Sequence, residues 1–296
     1  MYGTEDKCRR SPEKFRRSDG FVCRSCGHES YCYLRTRKLY QCSRCRSQTS
    51  VTCDTAFHSA NLPSTKWFPA MFLPVRSKNG ISSLEPKRQI GVSYPTAFKL
   101  KHKPMRTMME RDRRKSLSGP VEADDAYLGG KRRSGKRGRG AGSRQLSVAA
   151  VEVDLENRPK RTKLSAVKSF AGREVEKWAE RSLSPEAGYV VADGLSCFKA
   201  LGDTVRLHIA KPIGKGQKST DDPAFRWVDA TLGNVKNSIE GTYRANRKIT
   251  ADRYLAEFRY RFDRRYDSRG ILPRPIHASV RTPPLPGNLL KLTANS

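Results

Sequence analysis

Hydrophobic and polar residues follow a strand-like pattern in the part of the chain that begins after Ser118 and Gly119. PVEADDAYLGG and QLSVAAVEV alternate β-branched or apolar residues with polar ones, which predicts two antiparallel strands joined by a long basic loop. RTKLSAV predicts a further strand of the same meander. Apolar residues at helical spacing between Phe170 and Leu183 predict a helix, and YVVADG predicts a short buried strand that ends in Asp193.

The pattern is helical on both sides of this region. From Phe57 to about Arg114, Pro, Gly and Asn separate helix-forming stretches. Thr65 is the expected cap of the first, and a short helix, a turn at Gly91 and a second helix over 93–103 then predict a helix-turn-helix-like arrangement. Packing alone is the alternative role of such a helix pair. The side chains that the second helix would offer to DNA are Tyr94, Lys99, Lys101 and His102.

Near the end of the chain, Leu255, Phe258 and Phe262 form an apolar stripe. This spacing predicts the last helix of the domain, with its arginines on the outside. The residues from Pro273 to Ser296 are rich in proline and lack any period. We therefore expect an extended tail there.

Charge narrows the choice of partner. Lys and Arg number 59 against 29 Asp and Glu in 296 residues, a net charge of +30, and a polyanion such as nucleic acid best offsets it. A membrane surface is the alternative, but no apolar run approaches the roughly 18 residues needed to span one. MYGTEDKCRRSPEKFRR has no apolar signal core. These features predict a soluble, intracellular protein that is not associated with membranes.

Two CxxC pairs bracket a short segment near the N-terminus. Cys23 and Cys26 are followed by 15 residues and then by Cys42 and Cys45. Each pair forms a knuckle that presents two thiolates, and a β-hairpin between them closes a tetrahedral shell around one structural Zn²⁺. A pair of redox dithiols is the weaker alternative, because no βαβ thioredoxin pattern is present.

The remaining cysteines have no pairing pattern. His28 and Cys32 are substitute zinc ligands that the regular spacing does not require. Reduced thiols in or near a core are the simplest interpretation of the cysteines to which we assign no role, namely Cys8, Cys32, Cys53 and Cys197.

Three acidic residues lie in predicted strands or at an expected helix start. Asp124 lies in the first predicted strand, Asp193 ends the fourth, and Asp229 comes 35 residues later at an expected helix start, with Lys236 seven positions on. Three strands, a helix and a strand is the RNase H-like order, which brings such carboxylates into one site. Hard Mg²⁺ or Mn²⁺ ions take oxygen ligands, so the acids predict a site for two such ions. Lys236 would hold a DNA phosphate beside them.

Alternatives exist for two of these acids. Asp125 is an alternative to Asp124, and Glu240 is an alternative to Asp229. Glu122 lies on the same face of the strand as Asp124, as an assisting acid or as an acid at the edge of the core. An ordinary turn residue is the alternative role of Asp193, because Asp193 precedes Gly194 and turn aspartates are common at strand ends.

A basic loop separates the first two predicted strands. KRRSGKRGRGAGSR is too rich in Gly and Arg to pack, so it predicts an arm that follows DNA phosphates, with a solvated loop as the alternative. The cations assigned to this arm are Arg132, Arg133, Lys136, Arg137 and Arg139.

The motifs VEADDAYLGGK, VVADGLSCFKAL, WVDATLGNVK, GTYRA and RYLAEFRYRFDRR, after the CxxC pairs, resemble an insertion-sequence DDE transposase. The similar group is the fifteen-ninety-five insertion-sequence family, which has an N-terminal zinc ribbon. Asp229 stands where that family has Asn or Glu, and Arg244 stands where its GTY motif usually has His. The resemblance implies metal-dependent cleavage at the ends of the mobile element and 3′-hydroxyl strand transfer into target DNA by a homo-oligomer. It also implies a bacterial cytoplasmic protein associated with the nucleoid.

The sequence thus predicts an α/β protein, in which an RNase H-like mixed-sheet domain follows a zinc ribbon and a helical segment. The expected divisions are a basic arm over 1–17, a zinc ribbon over 18–53, a helix-turn-helix-like segment over 54–117, the catalytic domain over 118–268 and a Pro-rich tail over 269–296. A catalytically inert repressor or architectural protein, and a nuclease or resolvase of the same fold, are the alternative functions.

Overall fold

The computed structural model describes residues 4–59, 62–113, 115–129, 145–212, 222–243, 248–267, 269–287 and 290. It divides into two compact units. Among the described residues, the first unit comprises the chain up to Val75, Ser83–Thr107 and the part from Asp267 onward, and the second comprises Arg76–Ser82 and Met108–Tyr266. Within the described part of the chain, no helix has the length and apolar character needed to cross a membrane.

The first unit combines a small antiparallel sheet with helices. Its strands, in the order β1-β2-β3, are β1 (Tyr31–Leu34), β2 (Leu39–Cys42) and β3 (Gln48–Thr49). The helices that contribute to it are α1 (Glu5–Arg16), α2 (Ser64–Arg76), α3 (Leu84–Ile90), α4 (Tyr94–Asp112) and α8 (Pro273–Val280). Gly91 ends α3 in a left-handed conformation, with φ 65°, so the predicted turn between two helices is confirmed.

The N-terminal segment predicted as a basic arm is helical. The Thr4 hydroxyl accepts a hydrogen bond from the Lys7 N–H (3.4 Å) and caps α1, and acids in the first turn and bases in the last complement the helix dipole. Glu5 in turn accepts the N–H groups of Ser64 (2.7 Å) and Thr65 (3.0 Å). The cap expected from Thr65 is therefore supplied to α2 by the carboxylate of Glu5.

The predicted extended tail is wrong for Pro273–Val280, which forms α8. Proline at the start of a helix costs no hydrogen bond, because the first N–H groups have no partner within the helix. Ile276 and Val280 are buried in one cluster with Trp67 and Met71. Apolar burial thus outweighs the low helix propensity of a Pro-rich sequence.

The second unit contains a mixed sheet of five strands in the order β6-β5-β4-β7-β8. The first three are antiparallel, and β7 and β8 run parallel to β4. The strands are β4 (Val121–Leu128), β5 (Gln145–Val153), β6 (Pro159–Ala166), β7 (Val190–Asp193) and β8 (His208–Lys211). Its helices include α5 (Gly172–Ser182), α6 (Arg226–Gly241) and α7 (Lys248–Phe262). This is the RNase H-like arrangement that the sequence predicted, with β8 as an unpredicted addition.

The two faces of this sheet differ in chemistry. Val121 and Ala123 of β4 join Trp178 of α5 in the main core. Successive strand residues point to opposite faces, so Glu122 and Asp124 lie on the other face, which packs against α6. The alternation of β4 therefore places its acids on the side of the sheet that α6 covers.

Side chains of α7, and of Asp263 directly after it, protect the outer edge of β6. Asp263 Oδ1 accepts the Thr162 N–H (2.9 Å), Asp252 Oδ1 accepts the Ala166 N–H (3.2 Å), and Arg259 donates to the Leu164 carbonyl (3.4 Å). Backbone groups that would otherwise attract another strand are thus satisfied. The prediction that the arginines of this helix lie outside is wrong, because Arg253, Arg259 and Arg261 are all buried.

Candidate functional site

The two CxxC pairs form matching knuckles. The Gly27 N–H donates to the Cys23 carbonyl (2.8 Å) and the Arg46 N–H donates to the Cys42 carbonyl (3.1 Å). Gly27 and Arg46 both have positive φ, 71° and 59°, which turns the chain back after each pair. The hairpin of β1 and β2 brings the second knuckle to the first, as predicted.

The four sulfur atoms form one group. Cys23 Sγ lies 3.5 Å from Cys45 Sγ, and Cys26 Sγ lies 3.6 Å from Cys42 Sγ. Tetrahedral zinc with Zn–S bonds of about 2.3 Å requires sulfur separations of about 3.8 Å, so the set fits a structural Zn²⁺. Burial opposes ionisation of Cys23, but hydrogen bonds, first from the backbone of Ser25 and Cys26, lower its pKa to about 6. Cys32 is exposed on β1 and lies outside this group.

Three carboxylates meet where β4 and β7 diverge. Oxygens of Asp124, Asp125 and Asp193 lie within 4.8 Å of one another. The Asp125 N–H donates to Asp124 Oδ1 (2.8 Å), and the Leu195 N–H donates to Asp193 Oδ1 (2.6 Å). The turn after β7 therefore fixes Asp193. Asp125, the alternative to Asp124, belongs to the same group.

The negative charges of this carboxylate group repel one another. Burial raises the pKa of Asp124 to about 7, and the charges of Asp125, Asp193 and Asp229 add to the rise, against a hydrogen bond from the Asp125 N–H. A bound divalent cation reverses this balance, because it stabilises the ionised carboxylates. The oxygen donors and their mutual repulsion fit a hard cation such as Mg²⁺.

Glu122 connects this strand to α6. Its Oε2 accepts the N–H groups of Trp227 and Val228, each at 2.8 Å, and its side chain is 5% exposed. Burial raises the pKa of Glu122 to about 7, although these two N–H groups act to lower it. Of the two roles left open by the sequence, the structure gives Glu122 a structural one. It caps α6 and ties the start of that helix to β4.

The third acid and its lysine lie on α6. Asp229 is in the first turn, where burial raises its pKa and the charge of Lys236 lowers it. Asp229 is not within the three-carboxylate group, although its charge acts on Asp124. Glu240 lies three turns further along the helix, about 16 Å away. Lys236 and Glu240 are exposed.

One basic residue near the acids was not predicted. In the register of the sheet, Lys211 of β8 stands beside Asp193 of β7, and its Nζ lies 2.7 Å from a carboxylate oxygen of Asp222. The alternation in HIAK is too short to signal a strand without its neighbours. Only the pairing of β7 with β8 therefore identifies Lys211 as a residue near the acids.

The predicted DNA-reading residues of α4 divide into two groups. Lys99 is exposed, and Tyr94 keeps 48% of its surface exposed. Lys101 and His102 are only 2% and 0% exposed, so their assignment to DNA contact is wrong. The reason is that α4 is buried on most sides from Leu100 onward. The basic-loop residues Arg132, Arg133, Lys136, Arg137 and Arg139 lie outside the described residues, as does Arg244.

The mixed sheet, with Asp124 midway along β4 and Asp193 at the end of β7, is RNase H-like, and a zinc ribbon precedes it in the chain. Residues 116–263 match the ISXO2-like transposase domain of the IS1595 group, and residues 3–48 match the transposase zinc-ribbon domain. The first match covers half of the chain. The chain therefore belongs to the IS1595 family of insertion-sequence transposases, and the resemblance drawn from its motifs is confirmed.

A similar protein is known from Halobacterium salinarum. It is described as an uncharacterized protein in transposable element ISH50, and it is 29% identical over 133 residues. The alignment covers 44% of this chain and 44% of that protein. The chain thus matches less than half the length of this relative.

Proposed function

We propose that this protein is the working transposase of an insertion sequence, which cleaves DNA at the element ends and joins the freed 3′-hydroxyl to target DNA. One observation carries the proposal. Acids of β4 and β7 meet in one group, and Glu122 ties the helix that bears Asp229 to the same strand. A domain that only binds DNA has no need to bury mutually repelling carboxylates at this place.

The proposed roles follow from position. Asp124 and Asp193 hold the divalent ions, and Asp229 supplies a further oxygen from α6. Two Mg²⁺ or Mn²⁺ ions, when bound, supply Lewis-acid activation of the attacking oxygen and of the leaving oxygen in an in-line displacement. The Leu195 N–H orients Asp193, and the Asp125 N–H orients Asp124. No covalent bond between protein and DNA is required.

The aspartate at position 229 is compatible with this role. Its side chain is one methylene shorter than glutamate, one of the two residues that the family has at this position, so its helix must approach the metals more closely than a helix that bears glutamate. Glu122 provides that approach, because it binds the N–H groups of Trp227 and Val228 immediately before Asp229. Glu240 is too far along α6 to replace it. Asp229 is therefore the better third acid.

Lys236 and the wider positive charge are proposed to hold DNA. Lys236 is two turns after Asp229 on the same face of α6, and its charge acts on that carboxylate. In the first unit, Lys99 remains the candidate on α4. The basic loop between β4 and β5 is the proposed arm for DNA phosphates. Joining two element ends in one reaction implies a homo-oligomer on DNA.

Two other functions make different predictions. An inert zinc-ribbon repressor or architectural protein is favoured by Asp229 and Arg244, which depart from the family pattern. A nuclease or resolvase of the same fold would cut branched DNA without joining it. Zinc-loaded protein should be incubated with Mg²⁺, labelled element-end DNA and a target plasmid. We expect joined products; binding without cleavage indicates the repressor, and cutting of branched DNA alone indicates the resolvase.

The tether formed by Glu122 can be tested separately from catalysis. Glu122→Ala leaves two buried N–H groups without an acceptor, so we expect the unfolding free energy to fall by about 1–3 kcal/mol. Loosening Asp229 should also weaken Mn²⁺ binding by about 10- to 100-fold. Glu122→Gln keeps an acceptor oxygen and should retain most of both. Equal Mn²⁺ affinity in Glu122→Ala and wild type would contradict the tether.

Burial separates two neighbouring lysines of α4 in a second test. Lys99→Ala should weaken binding to element-end DNA and leave the melting temperature nearly unchanged, because the side chain is exposed. Lys101→Ala should lower the melting temperature through lost packing of its buried stem. Fluorescence anisotropy and thermal unfolding measure the two effects. If Lys101→Ala bound DNA more weakly and kept the melting temperature of wild type, Lys101 would be assigned to DNA contact.

A further inference from the structure

A polar groove lies beside the free edge of β6, away from the carboxylate group. It has a volume of about 600 Å³ and is lined by β6, α5, α7 and the end of α4. Water occupies about 30 Å³ per molecule in the liquid, so this space holds many waters or a hydrated phosphate. Its charged lining includes the cations Arg113, Lys163, Lys168, Lys177, Arg181 and Arg259.

The acids of the groove are already engaged. Asp112 pairs with Lys163 (3.1 Å) and with Arg259, both of which are buried at its floor. Asp252 accepts the Ala166 N–H, and Glu174 lies 3.8 Å from Lys177. The pairs of Asp112 neutralise the floor, and Glu174 offsets part of the charge of Lys177 at the rim, where Lys168 and Arg181 remain in excess.

The rim is formed largely by one face of α5. Lys177 and Arg181 line the groove and are exposed one turn apart, and Arg173, one turn earlier, is exposed on the same face of α5 without lining the groove. Lys177 and Arg181 are about 6 Å apart along the helix. Lys168 precedes α5 and is also exposed at the groove. A linear row of cations fits the regularly spaced phosphates of a nucleic-acid strand.

The groove lies apart from the carboxylates. β5 separates β6 from β4, so the edge of the sheet is about 10 Å from the strand that bears Asp124. α5 packs on the face of the sheet that carries Val121 and Ala123, whereas Asp124 lies on the opposite face. The groove is therefore a second candidate surface for DNA, separate from the carboxylate group.

We infer that this groove, with Lys168, Lys177 and Arg181 at its rim, binds the phosphate backbone of duplex DNA independently of sequence. The inference rests on the proposed function for the identity of the polyanion. The groove would hold a part of the duplex outside the segment that is cut or joined. Its contacts are to phosphates, so they position the DNA and carry no base specificity.

The test compares two double variants that lose the same charge. Lys177→Ala/Arg181→Ala removes two rim cations, and Lys199→Ala/Arg206→Ala removes two exposed cations that do not line the groove. Binding of full-length zinc-loaded protein to a short duplex of random sequence is followed by fluorescence anisotropy across a salt series, without Mg²⁺. Thermal unfolding checks that each variant is folded, and Lys168→Ala replaces the first variant if it is not.

We expect the rim variant to bind about tenfold more weakly at low salt and to reduce the slope of log affinity against log salt by about two. Lys168→Ala should reduce that slope by about one. Equal affinity and slope in the rim variant and its control would overturn the inference. A short polyphosphate is titrated in parallel, and weaker binding of the rim variant to polyphosphate but not to DNA would also overturn it. The binding assay contains no Mg²⁺ and no cleavage step, so failure of catalysis and failure of the groove are distinguishable.

Discussion

Asp193→Ala will abolish metal-dependent cleavage and strand transfer while leaving the protein folded. Asp193 ends β7, its orientation is fixed by the Leu195 N–H, and its oxygens meet those of Asp124 and Asp125. Alanine removes the proposed metal ligand of β7, and that strand contains no other acid. We expect the rate to fall by at least about 10³-fold, which corresponds to about 4 kcal/mol of transition-state stabilisation. Strand transfer with Mg²⁺ or Mn²⁺ measures the effect.

Asp203→Ala is the matched control for this experiment. Asp203 is exposed at the end of the 3-10 helix Ser196–Asp203 and lies outside the carboxylate group. This variant makes the same chemical change and should react like wild type. Equal strand-transfer activity in Asp193→Ala and Asp203→Ala would refute the catalytic assignment.

Cys42→Ser will release the zinc and unfold the ribbon. A structural zinc site contributes about 10–16 kcal/mol of apparent binding free energy, which a segment this small uses to fold. Cys42 is fully buried and holds both β2 and the second knuckle, so serine cannot complete the tetrahedral shell. Elemental analysis should show about one zinc per chain in wild type and about none in the variant.

Cys32→Ser separates loss of zinc from loss of any thiol. Cys32 is in the same ribbon but exposed on β1, outside the four-sulfur group. Its replacement should retain zinc and the hydrogen-exchange protection of β1 and β2. Unchanged zinc in Cys42→Ser would refute the four-thiolate site.

The local hydrophobic pattern was sufficient to predict a strand or helix when one face of that element is buried. Alternation in VEADDAYL and QLSVAAVEV predicted β4 and β5, and the apolar spacing around Trp178 predicted α5. The four zinc ligands were predictable because two CxxC pairs at this spacing can close a shell without help from distant residues. Asp124 and Asp193 followed from the order of strands.

The errors arise where distant contacts decide the outcome. α8 forms in a Pro-rich sequence because Ile276 and Val280 are buried in a core supplied by residues far away in the chain. Lys101 and His102 looked like surface residues of a recognition helix, but α4 is largely enclosed. Glu122 could be placed on the face of Asp124, but its hydrogen bonds to α6 span more than a hundred residues.

A titration of Mn²⁺ into the protein tests most directly whether acids of β4, β7 and α6 form one metal site. Electron paramagnetic resonance counts the bound ions in wild type and in alanine variants of Asp124, Asp193, Asp229 and Glu240. We predict that the Asp124 and Asp193 variants lose high-affinity Mn²⁺ binding. Asp229→Ala should bind Mn²⁺ more weakly than wild type, and Glu240→Ala should bind it as tightly as wild type. Undiminished Mn²⁺ binding in both Asp124→Ala and Asp193→Ala would contradict the account.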